Sequence, residues 1–350
     1  MSKKTVPDGG ARSSEKKPYK RTARQILGFL LAGACLAWVF HDIDYRELLQ
    51  NMSAVNWWWI LPAVVLDILS YVCQGLRWQL LLRHFGRITT FEATKAIYAG
   101  LFLNEIIPLR VGELVRTYIV SRWLSIKFIS AIPSVVVERL FDAIWLGAGI
   151  GITAIVIQVP ENLMAAADNI GIAVLLATGM FLYLIVFRKQ SAKAQGTGHI
   201  RWKPLRMAAV FFNSIADEIQ VLGTSRFFYF SFVASSLILV MQILAFWFVM
   251  LAYGLTLSLW IGTAVLLLLH LGTVLPNAPS NVGTYQLLCV VGLAFFGVDK
   301  TVAAAFSVVV FIILTLPLWA VGLFAIGRCG MTLQEIRMEI RKSVKHYSSI

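Results

Sequence analysis

The sequence predicts an all-α integral membrane protein, a polytopic helical bundle of two inverted repeats that each contain a Pro/Gly-broken helix pair. Three observations carry this. Hydrophobic residues make up 58% of the chain and charged residues only 14%, with a mean hydropathy of +0.75, a composition that belongs to membrane proteins. Apolar runs of roughly 20 residues, enough to cross ~30 Å of hydrocarbon as helix, begin near Gln25, Trp57, Ile129, Asn169, Phe228 and Val302. Two polar motifs, Asn104-Glu-Ile-Ile-Pro-Leu-Arg-Val-Gly-Glu113 and Pro276-Asn-Ala-Pro-Ser-Asn-Val-Gly283, interrupt the apolar sequence and superpose on a shift of 171 residues (279 − 108 = 171). Matching helix breaks in the two halves of a membrane chain mark the binding site of a transport fold. About six full spans plus two broken pairs, re-entrant or fully crossing, are expected, so at least eight transmembrane segments.

The net charge of +13 raises the question of nucleic acid, and the location of the charges answers it. Residues 1–24 hold eight Lys/Arg, residues 188–206 hold six with no acid, and residues 328–350 hold five. The stretches 42–56 and 158–168 hold one between them, Arg46. That alternation is the positive-inside pattern and puts both termini in the cytoplasm of a multi-pass cell (inner) membrane protein, with no need of a nucleic-acid partner. Juxtamembrane Lys and Arg also suit anionic headgroups.

Each element follows in order. Residues 1–24 are too polar for a core and read as a disordered basic tail, and residues 25–327 as one membrane domain. The first apolar run continues past Cys35, as an uncleaved anchor rather than a signal peptide does. The second starts at Trp57-Trp58-Trp59, an interfacial aromatic belt, and ends among Arg77, Arg83 and Arg87, where Arg77 is close enough to the inner end to snorkel. The stretch 91–120 has basic flanks on both sides and breaks at Pro108 and Gly112, so it enters and returns. Spans from Ile129 and Asn169 follow, then a basic linker and an amphipathic interfacial helix over 188–227. A span from Phe228, a second broken stretch 259–296 and a span from Val302 complete the domain, before a basic tail at 328–350. Span, broken pair and span thus recur at equal spacing as repeat one (about 57–158) and repeat two (about 228–327), the first starting outside and the second inside. The cysteines Cys35, Cys73, Cys289 and Cys329 lack metal or redox spacing, and no catalytic triad, metal cluster or nucleotide loop implies a cofactor or a catalytic residue.

Ionisable residues inside a membrane segment are functional candidates, because each costs at least ~2.5–3.5 kcal/mol there. Arg110, Glu113 and Arg116 follow Pro108 and Gly112, where a new half-helix begins whose free amides and two arginines suit a phosphate. Alternatively the three pair along one helix and only hold the break. Glu138, Arg139 and Asp142 lie in the span from Ile129; Arg139 and Asp142 can pair at i, i+3, which leaves Glu138 either to pair with Arg110 or Arg116 or to carry a proton. Asn277, Ser280 and Asn281 make the second motif polar but uncharged.

Four motifs in order resemble a known family: Leu76-Arg77-Trp78; Asn104-x-x-x-Pro108-x-Arg110-x-Gly112-Glu113-x-x-Arg116; Glu138-Arg139-x-x-Asp142; and Pro276-x-x-Pro279-x-Asn281-x-Gly283. They are similar to the lysylphosphatidylglycerol synthase transmembrane region, or flippase-like domain family, over roughly 25–327. The resemblance implies a domain that moves lipids between leaflets beside a lipid-synthesising partner enzyme. It also implies substrate contacts at Arg77, Asn104, Pro108, Arg110, Gly112, Glu113, Arg116, Glu138, Arg139, Asp142, Asn277, Pro279, Asn281 and Gly283. Only a short basic tail follows Gly327, so synthesis of aminoacylated lipid by this chain is not expected. The alternatives are a membrane-embedded glycosyl- or acyltransferase, with Asp42 and Asp44 as its one local support, and an accessory subunit of an envelope system.

Overall fold

The computed structural model describes residues 19–41, 43, 46, 55–106, 111–157, 225–274 and 278–328. The tails 1–18 and 329–350, Asp42 and Asp44, the span expected from Asn169, the basic linker with its interfacial helix up to residue 224, and Pro108, Arg110, Pro276 and Asn277 lie outside the described residues.

Among the described residues every regular element is helical. They are α1 (Tyr19–Phe40), α2 (Trp57–Leu82), α3 (Thr90–Ile106), α4 (Gly112–Trp123), α5 (Phe128–Val156), α6 (Arg226–Ala252), α7 (Leu259–Val274), a 3-10 turn (Pro279–Asn281), α8 (Thr284–Ala294) and α9 (Lys300–Arg328). The starts at Trp57, Phe128, Arg226 and Lys300 fall within two residues of those expected from hydropathy. Helix α1 begins earlier, at Tyr19: residues 19–24 include Lys20, Arg21, Ala23 and Arg24, all strong helix formers, and extend the helix instead of belonging to the tail.

Local sequence sets the ends. Asn56 caps α2 by accepting from Trp58 N at 3.1 Å. Thr89 and Glu92 form a capping box at the start of α3: Glu92 N donates to Thr89 Oγ1 at 3.2 Å and Thr89 N to Glu92 Oε2 at 2.8 Å. Asp299 caps α9 by accepting from Thr301 N at 2.7 Å.

Helices α2, α5, α6 and α9, of 26, 29, 27 and 29 residues, are each long and apolar enough to cross a membrane. On α2 the outward residues Leu61, Val65, Leu69, Val72 and Leu76 form one apolar stripe at helical spacing, and Ile312, Leu316, Trp319 and Leu323 do the same on α9. Polar side chains point the other way, with Ser70, Arg77, Glu138, Ser231, Ser235 and Ser307 all buried. An apolar outside around a polar inside is stable in lipid and not in water.

Helices α2 and α6 pack along their whole length in antiparallel sense: Asn56 N bonds to Ala252 O at 2.7 Å at one end, and Arg83 lies 4.4 Å over the Phe227 ring at the other. Small buried residues, Ala63 and Ser70 on α2 and Ser231, Ala234 and Ser235 on α6, allow the close approach.

Each broken stretch folds as two short helices packed side by side. Helix α4 doubles back along α3, and a Cβ added to Gly112 would lie 1.7 Å from the carbonyl oxygen of Gly100. Helix α8 doubles back along α7, with Gly272 against Leu288 and Gly292 against Leu268 and Val265. As described they hold 17 and 12 residues in one pair and 16 and 11 in the other, against 26 to 29 in the four long helices.

Candidate functional site

The two breaks meet. Ser280 in the 3-10 turn donates its hydroxyl to the Glu105 carbonyl at 3.0 Å, so the tip of the α7–α8 hairpin rests on the end of α3. The turn is tight because Ser280, Asn281 and Gly283 all have positive φ (56°, 53° and 86°). Glycine is required at the last of these for a second reason. A Cβ there would sit 2.5 Å from the carbonyl oxygen of Ala32, which brings α1 directly against the motif. Gly283 N is held by Gln286 Oε1 at 2.7 Å, which starts α8.

One residue back from Glu105, Asn104 Oδ1 accepts from Gly112 N at 2.7 Å. The side chain bridges the break and satisfies a free amide at the start of α4, a substitute for the missing turn of helix. Replacing Asn104 with alanine is expected to lower the melting temperature in detergent through a loss of about 1 kcal/mol, with serine at this position too short to restore it.

Beside that cap lies a charged network drawn from four helices. Arg77 of α2 donates through Nη2 to Glu138 Oε1 of α5 at 3.2 Å, through Nη1 to Ser235 Oγ of α6 at 3.0 Å, and through Nη1 to Asp142. Arg116 of α4 donates to Glu138 Oε2 at 2.7 Å and lies 4.6 Å over the ring of Trp78, whose own N–H is held by Ser134 Oγ at 3.0 Å. Arg139 reaches Glu113, and Asp142 at 3.4 Å. Side-chain exposure divides the network in two. Arg77, Glu138 and Arg116 are 4%, 1% and 8% exposed, a sealed core, while Arg139 is 48% exposed and forms the open flank. Three guanidiniums face three carboxylates, so the set is formally neutral, and neutrality is what makes burial in a low dielectric tolerable.

A cavity of about 30 Å³ remains between these groups, lined by Arg77, Asn104, Glu113, Arg116, Arg139 and Asp142 among others. That is room for about one water and not for a headgroup, so a larger polar ligand requires α4 or α5 to move.

Arg77, Asn104, Gly112, Glu113, Arg116, Glu138, Arg139 and Asp142 are therefore assembled in one place. Pro279, Asn281 and Gly283 sit at the neighbouring hairpin tip and do not line the cavity, and Pro108, Arg110 and Asn277 lie outside the described residues. Two expectations are corrected. Arg77 does not snorkel: it turns into the bundle, because Glu138, Asp142 and Ser235 together offer better partners than the interface does. Glu113 and Arg116 do not pair with one another, since Arg116 reaches Glu138 and Glu113 is reached by Arg139, both of α5. Glu138 is taken by two arginines at once, and the expected i, i+3 pair of Arg139 and Asp142 is present as one edge of the larger set. Ser235 and Trp78 were not singled out from the sequence as site residues. The only trace of Ser235 is a pair of serines inside an apolar run.

Fold and site together define a polytopic, all-helical integral membrane protein with a charged centre built at helix breaks. The chain belongs to the family of the lysylphosphatidylglycerol synthase transmembrane region, whose profile matches residues 25–322. It is 25% identical to the UPF0104 membrane protein MJ1595 of Methanocaldococcus jannaschii, over 83% of this chain and 89% of that one. It is 24% identical to a UPF0104 membrane protein of Methanothermobacter thermautotrophicus, over 89% of this chain and 96% of that one. A 156-residue stretch is 29% identical to the glycosyltransferase AglD of Haloferax volcanii, covering 44% of this chain and only 24% of that protein.

Proposed function

We propose that this protein moves a lipid with a charged headgroup between the two leaflets of the cell membrane, its termini on the cytoplasmic side. The observation that carries this is the neutral, six-member ion-pair network beside the break where the two helix hairpins touch, with Arg77, Arg116 and Glu138 sealed and Arg139 on the open flank. A network of that kind is a poor stabiliser, because a well-packed apolar core of the same volume would serve as well or better. It becomes useful if its members exchange partners. When the hairpins part, a lipid phosphate replaces the carboxylates on Arg77, Arg116 and Arg139, beside the amides that open α4, while the tails stay in the bilayer.

The chain order supports alternating access. Helices α2, α3–α4 and α5 recur as α6, α7–α8 and α9, and the two leading helices, α2 and α6, run antiparallel, as inverted repeats require. Rocking of one repeat against the other would expose the network first to one leaflet and then to the other. Anionic phospholipids, aminoacylated phospholipids and lipid-linked precursors all carry the phosphate this mechanism needs.

The test uses purified protein in vesicles with fluorescent phosphatidylglycerol, lysylphosphatidylglycerol or polyprenyl phosphate, scored by leaflet accessibility. Arg110→Ala, and Arg116→Lys, which keeps charge but loses the planar fork, are each expected to slow the preferred lipid roughly tenfold or more, the weight of one charge-assisted contact. Unchanged rates in both variants would rule the role out.

The partial similarity to AglD favours a second reading, an enzyme or accessory subunit that acts on a lipid-linked substrate. It predicts dependence on Asp42 and Asp44, which a translocase would tolerate as alanine.

A further inference from the structure

Asp67 stands apart from the charged network and is built differently. It lies ten residues, about 15 Å of helix, from the start of α2 and a similar distance from Arg77, near the middle of the membrane. The residue is 5% exposed, and its Oδ2 is buried without a hydrogen-bond partner among the described residues. Ser70 cannot serve it, because that hydroxyl is committed to the backbone carbonyl of Asp67.

Three phenols interact with Asp67 electrostatically, Tyr71 from the next turn of α2, Tyr98 of α3 and Tyr285 of α8, and Glu105 of α3 acts on Tyr71 in turn. The Tyr98 hydroxyl is also buried without a partner among the described residues, and the rings of Tyr71 and Tyr98 lie 5.2 Å apart. Among the described residues no cation pairs with Asp67, and Lys95 of α3 lies over the rings of Phe91 and Trp123 instead. Helix α6 has its one charged residue at its first position, α9 has charges only at its two ends, and the arginines and acids at the α2–α5 contact are engaged with one another. An unpaired carboxylate in such a place is not sustained; a carboxylic acid is, because it is neutral and has an O–H to donate.

The position is what gives the proton a use. Tyr98 is on α3, which leads into the first break, and Tyr285 is the second residue of α8, which leaves the second. Any motion that parts the hairpins changes the surroundings of Asp67 at the same moment.

We infer that Asp67 is a proton-binding site, holding a proton while the hairpins are closed and exchanging it when they part, so that lipid movement follows a transmembrane proton gradient. The coupling rests on the translocation proposed above; the bound proton does not. Two measurements separate them. Infrared difference spectra of the protein in lipid vesicles at neutral pH, wild type against Asp67→Asn, are expected to contain a carboxylic-acid C=O stretch that the variant loses. In vesicles carrying fluorescent phosphatidylglycerol, an imposed gradient of one pH unit is expected to shift the wild-type leaflet distribution by up to about tenfold, the ratio that one coupled proton sets. Asp67→Asn should equilibrate the lipid without responding to the gradient, and Asp67→Glu should restore the response. Identical carboxyl spectra for wild type and Asp67→Asn would overturn the proton site, and an undiminished gradient response in that variant would overturn its coupling. A carboxyl band lost in Asp67→Asn, with no lipid movement in wild type under any gradient, would uphold the site and reject translocation.

Discussion

Replacing Glu138 with alanine is expected to destabilise the protein by about 3–5 kcal/mol, the cost of breaking a buried ion pair from one side. Glu138 is 1% exposed and accepts from two arginines, Arg77 at 3.2 Å and Arg116 at 2.7 Å, so its loss strands two guanidiniums at once. Arg77 keeps Asp142 and Ser235. Among the described residues Arg116 keeps no other hydrogen-bonded partner and only its position over Trp78, worth about 2 kcal/mol when desolvated. The exposed flank behaves differently: Arg139→Ala removes a side chain that is 48% exposed, and its cost should stay near that of a surface pair, about 1 kcal/mol. Melting of the purified variants in detergent, followed by loss of monodisperse protein on size exclusion, checks the order. A double-mutant cycle with Arg116→Met should recover much of the Glu138→Ala loss, because it removes the stranded charge. Equal effects for Glu138→Ala and Arg139→Ala would refute the division into a sealed core and an open flank.

Gly112→Ala is expected to be the most damaging glycine-to-alanine change among the described residues. Its new Cβ would meet the Gly100 carbonyl oxygen at 1.7 Å and Asn104 Oδ1 at 2.7 Å, two atoms on the opposite arm of the hairpin. The first is backbone and cannot rotate away, so α4 has to separate from α3, and that also breaks the Asn104 cap and draws Arg116 away from Glu138. Overpacking of this kind costs about 1–3 kcal/mol by itself, and loss of the cap adds about 1. Gly151→Ala is the control. A Cβ there meets nothing within 4 Å, and alanine is the better helix former, so neutral or slightly raised stability is expected. The same melting assay compares the two, and similar melting temperatures for them would show that the α3–α4 hairpin is not packed backbone to backbone.

Much of the candidate site was legible in the sequence. Arg77, Asn104, Gly112, Glu113, Arg116, Glu138, Arg139 and Asp142 stand out because polar residues inside apolar runs carry a cost that only a partner or a ligand offsets. What each of them touches was not legible. Glu113 and Arg116 lie one turn apart on one helix, an ordinary local pair, and both nonetheless bond to α5. Arg77 has the position and length of a snorkelling residue and is buried. Asp67 looked like any single polar residue in a span, because nothing in its own helix reports that α3 and α8 bring tyrosines within its electrostatic reach.

The sequence by itself determined the class of the protein, the limits of the long helices, the two breaks and the set of charges that had to be accommodated. These depend on hydropathy, on Pro and Gly, and on caps such as Asn56 and Thr89 with Glu92, all of which act within a few residues along the chain. Only the tertiary structure decided the partners: Arg116 with Glu138, Arg139 with Glu113, Ser280 with Glu105, and Gly283 against Ala32. The reason is geometric. In hydrocarbon every charge must find an opposite, and which one it finds is set by how closely neighbouring helices approach, a distance fixed by small residues such as Gly100 and Gly112 within one hairpin and Ser231 on a helix far along the chain.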